Sequence, residues 1–131
     1  MQNAFLTIVT MVDGEEQRIS RKAEMELAPL SAALHYEEEA ARVCLELKDG
    51  EVYFQREGDY SLSMHLVEGQ TTEGQLSLAA FQGALTIMTK KIAYNISKSG
   101  LLLKVEYTLI FGEEKQEMRL RISARYHLEE K

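Results

Sequence analysis

The chain has 131 residues, 45% of them hydrophobic and 27% charged, with a formal net charge of -6 at pH 7. That length makes one domain, residues 1–131, able to bury a core without disulfides or metals, and the acidic balance argues against a nucleic-acid partner, whose phosphates need clustered Lys and Arg. Cys44 is the single cysteine, the first residues show no basic-then-apolar signal segment, and no run approaches the roughly 20 apolar residues of a membrane helix, so a cytoplasmic address without membrane contact is expected.

Ala4 to Val12 is the first strand expected, followed by Asp13-Gly14, a dipeptide suited to the positive φ angles of a tight hairpin turn. The return strand runs from about Glu16 to Leu27, with Ile19, Ala23, Met25 and Leu27 on one face and Arg18, Lys22, Glu24 and Glu26 on the other. Pro29 interrupts it, because proline cannot donate to a ladder. From Pro29 to Leu47 two readings stay open. Leu30, Leu34, Ala41 and Leu45 fit helical spacing in a stretch rich in Ala, Glu and Leu. The strand reading puts Leu34, Tyr36 and Glu38 on one face, a turn near Glu39 to Ala41, and Val43, Leu45 and Leu47 alternating with Cys44 and Glu46.

Asp49-Gly50 then turns the chain into Val52 to Arg56, and Gly58-Asp59 reverses it into Tyr60, Leu62, Met64 and Leu66, which alternate with Ser61, Ser63, His65 and Val67. Glu68-Gly69 closes that hairpin. Gln75 to Phe81 carries a weaker pattern, whereas Leu85, Ile87 and Thr89, then Ile92, Tyr94 and Ile96, read as one long strand. Its phase changes at Lys90-Lys91, where a bulge accounts for the shift. Ser99-Gly100 leads into Leu101 to Phe111, Gly112 to Lys115 makes the last turn, and Met118 to Tyr126 alternates most cleanly of all. Nine or ten short strands without crossover helices describe an all-β, antiparallel up-and-down meander that closes into a barrel, which removes exposed edges. A barrel wider than about eight strands is not easily filled by side chains, so an internal cavity is expected.

Several spread motifs resemble those of the YwiB-like family: Tyr36-Glu37-Glu38, Arg56-Glu57-Gly58 ahead of Ser63-Met64, Gly69, Gly83-Ala84-Leu85 leading to Thr89, and Gly100 before Val105-Glu106-Tyr107. The likeness runs from about Leu34 to Ala124 and implies the fold of those bacterial proteins of unknown function, a calycin-type, lipocalin-like β-barrel. It turns Leu34 to Leu47 from a helix into two strands. No activity comes with it, and where the family carries an aromatic residue after the Met, this chain has His65-Leu66.

Arg56 follows Val52 and Phe54 on the face expected to be buried, where an unpaired guanidinium carries a large desolvation cost. Glu38, sharing a face with Leu34 and Tyr36, is its natural partner. Together they form either the polar floor of a cavity, with Arg56 holding a carboxylate or phosphate through its planar fork, or a structural ion pair, unless the arginine reaches solvent at a barrel end. Tyr36, Thr89, Tyr94 and Tyr107 fall on apolar faces and complete a candidate site of apolar walls with a few hydroxyls.

His35, His65 and His127 lack metal-ligand spacing and read as exposed, and Cys44 lacks a local activating signature. Glu37 and Glu39 point away from Glu38, and no phosphate-cradling glycine loop occurs. Arg119, Arg121 and Arg125 share one outward face of the last strand; such a stripe meets a nucleic acid or an acidic partner, although interleaved aromatic residues are missing, or equally well discourages edge pairing. These residues point to a barrel binding a small apolar or anionic molecule, with no metal, cofactor or catalytic residue assigned and a homodimer left open. The alternative is a structural or regulatory interaction module with a filled barrel.

Overall fold

Two-residue turns shape the hairpins. Asp13 and Gly14 adopt φ angles of 49° and 87°, and Asp49 and Gly50 adopt 55° and 75°, the paired positive values whose twist matches that of the flanking strands. The computed structural model describes residues 1–79 and 81–127; Ala80 and residues 128–131, part of the single domain expected above, lie outside it. The strands are β1 (Gln2–Val12), β2 (Glu15–Ala28), β3 (Ser31–Glu38), β4 (Ala41–Lys48), β5 (Glu51–Gly58), β6 (Ser61–Leu66), β7 (Thr71–Leu78), β8 (Phe81–Ile96), β9 (Gly100–Phe111) and β10 (Glu114–Tyr126). Each pairs antiparallel with its neighbours in sequence, and β1 pairs with β10 from Ala4 opposite Tyr126 to Val12 opposite Met118, which closes a ten-strand barrel. No helix among the described residues is long and apolar enough to cross a membrane.

The stretch with two open readings forms β3 and β4, joined at Ala40, which takes a φ of 62°. Period two wins over helical spacing because it buries Ala32, Leu34 and Tyr36, then Val43, Leu45 and Leu47, against the same interior. The bulge at Lys90-Lys91 is present: Thr89 lies opposite Tyr107 and Lys91 opposite Glu106, which leaves Lys90 as the extra residue.

One half of the barrel is solid. Leu6, Met25, Leu34, Leu45, Leu47, Val52, Leu101, Leu103 and Ile122 are each under 2% exposed, and sealing a side chain of that size from water stabilises by about 1.5 to 3 kcal/mol. The other half is not filled. β2 pairs with β3 only from Ala28 back to Ala23, opposite Tyr36, so its first residues run beside β1 without a second neighbour. That parting of β2 from β3 leaves the interior open beside Gln17, Ile19 and Glu38.

Candidate ligand-binding site

The hollow half holds a cavity of about 290 Å³. Its walls are apolar, with Ile8 from β1, Ile19 from β2, Phe54 from β5, Leu62 from β6, Leu109 from β9 and Leu120 from β10. Ile19, Phe54, Leu62, Leu109, Met118 and Leu120 are only half-buried although they sit on the inward face, because nothing packs on their cavity side. Thr10, Gln17, Glu38, Tyr36, Tyr60 and Tyr107 supply its polar lining.

Arg56 points inward from β5, opposite fully buried Val43, and is 6% exposed. Every nitrogen of its guanidinium is occupied. Nε donates to Glu38 Oε2 at 3.3 Å, Nη1 donates to the Tyr60 carbonyl at 2.8 Å, and Nη2 lies 2.8 Å from Asp59 Oδ1. The guanidinium carbon also sits 3.7 Å from the centre of the Tyr60 ring, a cation–π geometry. Burial pulls the Arg56 pKa down, but the hydrogen bond with Asp59, the neighbouring Tyr60 and the bond to Glu38 together hold it above its ordinary value. The same hydrogen bond is the main force keeping the Asp59 carboxyl below the usual carboxylate range, against a smaller opposing effect of desolvation.

This arrangement is that of a structural clamp. Three of the five N–H donors of the guanidinium are engaged by the protein itself, and Glu38, rather than Arg56, lines the cavity. Asp59 and Tyr60 escaped the sequence reading; their positions three and four residues after Arg56, across the Gly58-Asp59 reversal, are the signal that could have found them.

Tyr36 and Tyr107 stand where the alternation puts them, each 6% exposed and lining the cavity. Neither hydroxyl has a hydrogen-bond partner among the described residues, yet neither is sealed from water-sized space. Burial pushes the Tyr107 phenol up to about 12. Tyr36 is raised as well, chiefly by burial and further by Glu38, with Arg21 and Arg56 opposing. Thr89 is buried at 3% but lies outside the cavity, and its Oγ1 is sealed without a partner.

Tyr94 departs from the expectation. It lies opposite Leu103 and so on the inward side of β8, yet it is 43% exposed and no part of the cavity. β7 pairs with β8 only as far as Met88, so Tyr94 sits on an overhang with no strand on its second edge.

Outside the barrel, two histidines are less isolated than the sequence suggests. His65 bonds Glu51 and stacks on Tyr53 with ring centroids 4.4 Å apart, and His35 Nδ1 lies 3.7 Å from Cys44 Sγ. No cluster of three or more His, Cys, Asp or Glu arranged to hold a metal occurs among the described residues.

Comparisons with known proteins agree on fold and family. The crystal structure of the ywiB protein from Bacillus subtilis superposes with a TM-score of 0.82 over 97% of this chain and 93% of that one, at 16% sequence identity. No curated protein matches the chain. A family model described as "Domain of unknown function (DUF1934)" matches residues 6–123. With nearly its whole length inside that match and a barrel fold that superposes on the ywiB structure, the chain belongs to the DUF1934, YwiB-like family.

Proposed function

We propose that this protein binds a small, mainly apolar molecule in the hollow half of its calycin-like barrel. The observation that carries the reading is the set of inward-facing apolar side chains left half-buried around about 290 Å³ of space. An apolar surface kept open inside a fold is a binding surface in the ordinary case. The unpartnered hydroxyls of Tyr36 and Tyr107 and the rim carboxylate of Glu38 supply hydrogen bonds that orient a polar group on the ligand. The anionic alternative is less well supported, because Arg56 does not line the cavity, its charge is matched by Glu38 and Asp59, and Glu38 at the rim repels negative charge. A cytoplasmic address fits the unpaired Cys44 and the acidic surface.

The neutral fluorophore N-phenyl-1-naphthylamine tests the reading. Its emission rises on binding to wild-type protein, and Leu62→Trp, which fills the cavity, abolishes the rise. Native mass spectrometry of protein purified without denaturation shows whether a compound is retained. No emission change together with no retained mass would overturn the proposal.

A further inference from the structure

The outer surface of the barrel is unevenly charged. Where β2, β1, β10, β9 and β8 lie side by side, Arg18, Lys22, Arg119, Arg121, Arg125, Lys104 and Lys91 face outward together, in a chain whose formal net charge is -6. At the centre is a groove of about 420 Å³ whose floor includes Val9, Met11 and Ala93 and whose walls carry Lys91, Lys104, Arg119 and Arg121 together with the carboxylate of Glu106. Val9 is outward-facing and still only 6% exposed, so the floor lies well below the cationic ends around it.

One pairing across the groove has no structural explanation. Arg121 and Lys104 are directly opposite each other on β10 and β9, and like charges in that position destabilise a sheet. Two residues away, Arg119 faces Glu106 and makes an ion pair at 3.2 Å. Neither Arg121 nor Lys104 forms an ion pair among the described residues, and Lys91 lies opposite Glu106, whose carboxylate is already paired with Arg119. Bare cations around an apolar trough fit a ligand that brings the negative charge and the apolar groups itself.

We infer that this groove docks an extended acidic segment of another protein, one whose apolar side chains alternate with Glu or Asp. Alternation is the period of an extended chain, so its apolar side chains drop onto Val9, Met11 and Ala93 while its carboxylates meet Arg121, Lys104 and Lys91. The same face continues to Phe5 and Leu102, 52% and 54% exposed, flanked by Lys22 and Arg125. From Met11 to Phe5 is about 20 Å along β1, the reach of roughly six extended residues. An aliphatic floor suits side chains and lacks the stacking planes that single-stranded nucleic acid uses. This inference stands independently of any ligand inside the barrel.

The test uses a fluorescein-labelled peptide of about eight residues alternating Glu and Leu, with a Gln-Leu peptide, a uridylate oligonucleotide and phosphatidylglycerol vesicles as comparisons. The acidic peptide binds, and its affinity falls more than about tenfold between about 50 and 500 mM salt. Lys104→Glu and Arg121→Glu each weaken it by at least about tenfold. Lys104→Glu carries a further signature: it gives Arg121 an opposite charge, so its melting temperature holds or rises while binding is lost. Arg42→Glu, on β4 away from the groove, leaves binding unchanged. The inference is overturned if the Gln-Leu peptide binds equally well, if Lys104→Glu binds as wild type does, or if the oligonucleotide or vesicles bind more tightly than the acidic peptide.

Discussion

Arg56 is held by Tyr60 twice over: its guanidinium lies 3.7 Å from the ring centre, and its Nη1 donates at 2.8 Å to the carbonyl of the same residue. The turn between β5 and β6 folds back over the charge it buries. A second tie sits beside it, since the Asp59 amide donates to the Ala40 carbonyl at 3.1 Å. A Cβ on Gly58 would stand 2.1 Å from that same oxygen. The β3–β4 and β5–β6 turns are therefore laced together at the rim of the cavity.

Arg56→Ala tests the clamp. It removes charge-assisted bonds and the stem that fills the barrel end, but the carboxylates left behind are solvent-accessible, with the Glu38 and Asp59 side chains 29% and 57% exposed. The expected loss is on the order of 2 to 3 kcal/mol, read from urea unfolding. Arg56→Lys recovers little of it, because an ammonium cannot reach three acceptors from one plane. A loss under about 0.5 kcal/mol would remove the structural role.

Acid stability carries the signature of Asp59. Its folded-state pKa is depressed by Arg56, so its contribution is present above the unfolded pKa of about 4 and disappears as pH falls through the folded value. Asp59→Asn is less stable than wild type at neutral pH, and the two stability curves meet in strong acid. Parallel curves across that range, followed by circular dichroism, would contradict the assignment.

At the alkaline end the sign is reversed. Tyr107 is pushed up to about 12, so its neutral form stabilises the fold fully below the unfolded pKa of about 10, and that stability drains away as pH rises through the folded value. Tyr107→Phe flattens the fall in stability over this window. In wild type, ultraviolet titration of the six tyrosines shows Tyr36 and Tyr107 ionising last, together with unfolding.

Thr89→Val removes the one sealed hydroxyl without a partner among the described residues. A buried unsatisfied group costs about 1 to 3 kcal/mol, and an apolar replacement of the same shape lifts that cost. The variant melts at or above the wild-type temperature. A clear drop would show that the hydroxyl has a partner in solution.

Period two and Asp-Gly turns carried most of the fold. Asp13-Gly14, Asp49-Gly50 and the phase change at Lys90-Lys91 all lie where local chemistry puts them, because φ preferences and side-chain alternation are properties of neighbouring residues. β3 and β4 were open on periodicity alone, since Leu34 and Leu45 satisfy both helical and strand spacing, and only burial on a shared interior decides between them. Tyr94 shows the limit: its face was legible, but its exposure depends on where β7 stops. Arg56 shows another, because alternation brought it inside without saying that Asp59 and Tyr60 would hold it there.

The seam between β1 and β10 joins residues more than a hundred positions apart. A growing polypeptide therefore carries β1 with one bare edge until β10 has been made, and the ring can lock only after Tyr126 has emerged. Chains released before Glu114 have no partner for that edge and remain open sheets prone to self-association, so premature termination here yields no smaller working barrel.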